Sequence, residues 1–157
     1  MAQPDCSSTS NIIQIIGQIS SVSLVIVGWF VVHRLTQKRE KRKEVFEEVE
    51  SFCNSLLALE KKAITFHRNP SFDENLAAEI ALDISRNIEI LNFYPLSTLN
   101  IDRKYLIDFR QSITLKNFVR SEFNQLGPFH PVIKEISSSI DEITNQLRKK
   151  FNDKFCQ

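Results

Sequence analysis

Glycine is nearly absent from this 157-residue chain, which contains three in all. No stretch alternates polar and apolar residues at period two. Strands and their glycine-rich turns therefore both lack a signal, and the fold class read from the sequence is all-α. Cys6, Cys53 and Cys156 are too few and too scattered for a disulfide framework or a zinc site. One tryptophan and two tyrosines stand against twelve phenylalanines. That balance fits core packing, because phenylalanine needs no polar partner. Internal repeats and low-complexity tracts are missing as well.

The residues that carry chemistry are equally sparse. His33, His67 and His130 have no partner at metal-ligand spacing such as H-E-x-x-H, and no glycine-rich phosphate loop or G-x-S-x-G turn occurs. Small helical nucleases of the HEPN type place an arginine a few residues before a histidine, whereas nine residues separate Arg120 from His130. The chain is accordingly read as a non-enzyme with no cofactor and no metal.

What the sequence does contain is one long uncharged run. Ile12 to Val32 are 21 residues without a formal charge. As a helix the run would be about 31 Å long, close to the roughly 30 Å hydrocarbon core of a bilayer. Only Asp5 precedes it, whereas Arg34, Lys38, Arg39, Lys41, Arg42 and Lys43 follow it with a single Glu40 among them. Positive charge stays on the cytoplasmic side. The expectation is a single-pass protein of the cell inner membrane, with its N-terminus outside and its C-terminus in the cytoplasm. A cleaved signal peptide fits poorly, since its basic residues precede a shorter apolar core.

On a helical wheel Gln14, Gly17, Gln18, Ser21, Val25 and Gly28 share one arc, and the isoleucines and Phe30 lie outside it. Small residues allow close helix approach and side-chain amides need partners in hydrocarbon. Gln14, Gly17, Gln18, Ser21 and Gly28 are thus candidates for transmembrane association or for a lumen. Further on, Val45, Val49, Phe52, Leu56, Leu59, Ala63 and Phe66 follow the four-three spacing of a heptad repeat. The first six of these are the candidate assembly seam of a stalk helix. Phe46, Cys53, Leu57 and Ile64 widen the stripe, as in a helix with more than one neighbour.

Neither proline nor glycine occurs between Gly28 and Pro70, so span and stalk can form one helix. Four segments result: a short tail over 1–11, a transmembrane helix over 12–33, a basic juxtamembrane and heptad stalk over 34–69, and a cytosolic helical domain over 70–157. Within the last, Ser71 is expected to cap a second helix, with Glu74 completing a capping box. A third helix starts after Asn100 or Asp102 and carries Tyr105, Leu106, Phe109, Ile113, Phe118 and Val119, with a weak point at Thr114 to Asn117. Gly127-Pro128-Phe129-His130-Pro131 is a linker, and Ile133, Ile136, Ile140, Ile143, Leu147 and Phe151 mark a fourth helix.

The six basic residues Arg34, Lys38, Arg39, Lys41, Arg42 and Lys43 are candidates for contact with lipid headgroups, each adding about 1 kcal/mol beside an anionic leaflet. A topology signal alone explains them equally well. Nucleic acid is disfavoured as a partner, since it would compete with lipid for the same charges. The arrangement of span, basic stalk and helical domain resembles single-span bacterial membrane proteins, among them accessory and effector proteins of anti-phage defence. That resemblance implies an oligomer that perturbs the inner membrane, as a pore or otherwise. Two expectations follow: a homo-oligomeric membrane effector assembled through span and stalk, or a tether whose helical domain recruits a cytosolic protein partner.

Overall fold

The computed structural model describes the backbone of residues 6–155 and the side chains of residues 23–155. Four α-helices account for most of it: α1 (Cys6–Arg68), α2 (Glu74–Ile90), α3 (Arg103–Thr114) and α4 (Pro131–Phe155). A short 3-10 turn, Leu96–Leu99, lies between α2 and α3, and no strand occurs among the described residues. The chain divides into two compact units, 1–42 and 43–157.

Within the 43–157 unit the heptad positions of α1 form the centre of the core. Val45, Leu56, Ala63 and Phe66 are wholly buried, and Val49, Phe52 and Leu59 nearly so. They pack with Ile80 and Ile84 of α2, Phe109 and Ile113 of α3, and Ile136, Ile140, Ile143 and Leu147 of α4. Each Val, Leu, Ile or Phe side chain among them contributes about 1.5–3 kcal/mol by leaving water. The seam expected to join separate copies, Val45, Val49, Phe52, Leu56, Leu59 and Ala63, is therefore covered by the chain's own helices. A heptad stripe reports that a helix has a neighbour, and here the neighbours are intramolecular.

Polar pairs on the rims of these contacts give the helix directions. Glu60 accepts from Ser137 Oγ at 2.5 Å and Glu50 pairs with Arg148 at 3.3 Å, so α4 runs antiparallel to α1. Ser55 Oγ donates to Asn87 Oδ1 at 2.5 Å and Lys62 pairs with Asp83 at 2.7 Å, which sets α2 antiparallel to α1 as well. The Asp83 carboxylate holds the Lys62 ammonium above the ordinary lysine pKa. Ser112 and Ser139 hydroxyls lie 2.7 Å apart and Lys116 reaches Glu135 at 3.0 Å, so α3 and α4 are antiparallel too.

Helix ends follow local chemistry, with two departures from the sequence reading. The cap of α2 is Asp73, whose side chain accepts from the Leu76 amide at 3.0 Å, and not Ser71. Glu74 is then the first helical residue, where its charge suits the helix dipole. Asp102 caps α3 through the Lys104 amide at 2.9 Å. This helix stops at Thr114, at the weak point expected over Thr114 to Asn117 and so short of Phe118 and Val119, and Asn117 takes the left-handed conformation with φ 58°. Phe118 nevertheless packs on the core from the loop, its ring 5.0 Å from that of Phe66. Pro131 opens α4, where its missing N–H costs nothing.

Candidate functional site

No group of three His, Cys, Asp or Glu side chains among the described residues could hold a metal ion. Of the histidines, His33 is exposed and stacked on Trp29, with ring centroids 5.3 Å apart and planes 3° off parallel. Its Nε2 also lies 2.9 Å from Gln37 Nε2. His130 is exposed and its Nδ1 accepts from the Val132 amide at 3.3 Å, helping to cap α4.

His67 is wholly buried. Its Nε2 lies 3.3 Å from the Ile113 carbonyl, which can only accept, so Nε2 carries the proton. Nδ1 is left to accept from Asn117 Nδ2 at 3.3 Å. Burial pushes the imidazole pKa below its ordinary value, only partly offset by the hydrogen bond to Ile113. The same Asn117 side chain exchanges two hydrogen bonds with the Asn124 backbone, at 2.7 and 2.9 Å. Leu126 N in turn donates to the His67 carbonyl at 2.8 Å. His67 thus organises the loop between α3 and α4, a structural role that its place at the end of a heptad stripe did not signal. Cys53, on the same helix, is buried, which raises its thiol pKa.

The unit over 1–42 presents the opposite picture. From Ser23 to Arg42 every residue is exposed. Leu24, Val25, Ile26, Val27, Trp29, Phe30, Val31, Val32 and Leu35 are each 50 to 73% exposed. At 100° per residue these nine side chains surround the helix and do not form a single stripe. Gly28 lies among them, and a Cβ built there would meet nothing within 4 Å. Directly after comes Arg34, whose guanidinium sits 4.9 Å from the Phe30 ring centroid. Lys38, Arg39, Lys41 and Arg42 continue the basic run, and Lys43 pairs with Glu47 at 3.5 Å.

The expected localisation needs correction. No helix among the described residues is long and apolar enough to cross a membrane. Within the described side chains the uncharged run amounts to ten residues, Ser23–Val32, whereas a span takes about 20. The single-pass inner-membrane assignment is withdrawn on this finding, and the headgroup role given to Arg34, Lys38, Arg39, Lys41, Arg42 and Lys43 loses its premise with it. Of the proposed association residues, Gln14, Gly17, Gln18 and Ser21 have side chains outside the described residues, and only Gly28 is described.

A second surface feature went unnoticed in the sequence. Ile88 and Asn92, at the end of α2 and just beyond it, meet Ile101 and the α3 residues Arg103, Leu106, Ile107 and Arg110 around a cleft of about 440 Å³. The signal was available, since 103, 106, 107 and 110 share one helix face once the start of α3 is fixed. Comparison of the chain with known protein families, with curated proteins and with solved structures finds no match in any of the three.

Proposed function

We propose that this chain is an assembly protein, in which the apolar helix over residues 24–35 joins copies of the chain and the 43–157 bundle is the body each copy carries. The observation that supports this reading is the ring of nine large apolar side chains left in water between Leu24 and Leu35. Covering such a side chain fully is worth about 1.5–3 kcal/mol. The exposed portions of the nine, which are 50 to 73% of each side chain, are together worth an amount of the same order as the roughly 4–15 kcal/mol lost when free molecules associate. Because the apolar residues surround the helix, a pair would leave much of each surface wet, and a bundle of three or more helices covers more of it. Gly28, with open space where a Cβ would stand, lets a neighbouring backbone approach closely. Most soluble oligomers are symmetric assemblies of identical chains, and an apolar surface that runs all round the helix can supply both halves of a head-to-tail contact that closes into a ring. The bundle, by contrast, has already used its heptad seam internally.

Native mass spectrometry and light scattering on the full chain test this reading, beside a Val25→Glu/Phe30→Glu variant that places a charge on two sides of the helix. The expected result is three or more copies for the parent and a shift to monomer for the variant, with the far-ultraviolet helix signal unchanged. A parent that stays monomeric overturns the proposal. So does a monomer that sediments with lipid vesicles, because the apolar ring would then have another occupant.

A further inference from the structure

The cleft between the end of α2 and the first turns of α3 has both apolar and cationic residues in its lining. Ile88, Ile101, Leu106 and Ile107 line it with hydrocarbon, while Arg103 and Arg110 bring two guanidinium groups. No carboxylate belongs to its lining. Among the described residues neither arginine side chain forms a salt bridge or a hydrogen bond, which is also true of Arg86, Lys104 and Lys134 in the same unit. Asn92 adds an amide. One of its N–H groups donates to the Ile88 carbonyl at 3.2 Å, and the second is left for another acceptor. A volume of about 440 Å³ is in the range of small-molecule sites.

From these features we infer that the cleft binds a small anionic amphiphile, with a carboxylate or phosphate head held by Arg103 and Arg110 and a short apolar body on Ile88, Ile101, Leu106 and Ile107. The arginines suit that head because guanidinium groups form forked, charge-assisted hydrogen bonds to planar oxyanions. Positions 103 and 110 are two turns apart on one face of α3, about 10.5 Å along its axis, with Leu106 and Ile107 between them, so two long side chains must reach inward to share one head. The inference is independent of self-assembly, since the cleft lies wholly within the 43–157 unit.

The test titrates the full chain, with isoleucine methyl groups labelled for NMR, first with sodium octanoate below its micelle concentration and then with 1-octanol. The expected result is saturable shifts at Ile88, Ile101 and Ile107 with octanoate, and binding of octanol about tenfold weaker or worse. Arg103→Gln and Arg110→Gln should each weaken octanoate binding about tenfold while leaving the melting temperature of the free protein unchanged. Ile26, in the exposed apolar helix, is the internal control. Shifts confined to Ile26, an equal response to octanol, or arginine variants that bind as the parent does would each overturn the inference.

Discussion

The Nε2–H of His67, at the end of α1, points to the carbonyl of Ile113, at the end of α3, across 3.3 Å of buried interior. The contact fixes the tautomer and hands Nδ1 to Asn117, which in turn holds the Asn124 backbone. Protonating Nδ1 would remove an acceptor and leave a charge in a buried site away from water. The titratable neighbour His130 adds repulsion in the same direction. The folded-state pKa of His67 lies below the 6.5 of an unfolded histidine, so the unfolded chain binds the extra proton first. The stabilisation from keeping His67 neutral is therefore complete above about pH 6.5 and is lost as the pH falls toward the lowered value. Urea denaturation at a series of pH values should show this decline, and His67→Phe should flatten it. At neutral pH the same variant should cost about 1–3 kcal/mol, because Ile113 and Asn117 each lose a partner.

Phe66 is wholly buried and its ring contacts those of His67, Phe72, Phe118 and Phe123. Truncation to alanine would open a cavity at the point where the loop between α3 and α4 rests on the bundle. We expect Phe66→Ala to lower stability by about 3–5 kcal/mol, measured by denaturant midpoint. A loss below 1 kcal/mol would mean that these rings do not form one packed cluster.

The cap of α2 offers a smaller and sharper comparison. Asp73 accepts from the Leu76 amide at 3.0 Å, and Asp73→Ala should cost about 0.5–2 kcal/mol. Ser71, exposed and outside the helix, should tolerate alanine with a change within about 0.5 kcal/mol. Equal costs at the two positions would place the cap elsewhere.

These residues also mark how far the sequence could be read. The four-three spacing of Val45 to Phe66 and the stripe from Ile133 to Phe151 give the helices and their buried faces, because burial on a helix imposes its own period. Period carries no information about whose helix covers the face, and a seam expected between copies turned out to be the interior of one chain. Ser71 and Asp73 are both good caps by type, two residues apart, and only the turn after Pro70 decides between them. His67 and Asn117 are separated by 50 residues, so their pairing has no local signature. The cleft of Arg103 and Arg110 depends on where α2 ends, which the sequence marked only by the later Pro95.

The basic run beside the apolar helix makes assembly sensitive to salt. Over residues 34–42 the basic Arg34, Lys38, Arg39, Lys41 and Arg42 outnumber the acidic Glu40, so each copy brought into a bundle adds like charge to this stretch. Screening lengths fall from about 10 Å at 0.1 M salt to about 3 Å at 1 M. Association of copies should therefore strengthen as sodium chloride is raised, as read by sedimentation equilibrium. Weakening with salt would point to an anionic partner for this segment and count against self-assembly.

Trp29 supplies a direct optical reading of the same interface. It is the chain's only tryptophan, 66% exposed and stacked on His33 within the apolar ring. The separate chain should therefore emit as a tryptophan in water, and assembly should move the indole into an apolar contact. Emission should shift to the blue as protein concentration rises, and quenching by acrylamide should fall in parallel. Dilution should reverse both changes, because the contact is non-covalent. In Val25→Glu/Phe30→Glu the emission should remain that of exposed indole at every concentration. The bundle contains no tryptophan, so its unfolding cannot mimic the signal. A parent spectrum that does not change with concentration, recorded over a range where sedimentation shows a change of mass, would mean that copies meet through some other surface.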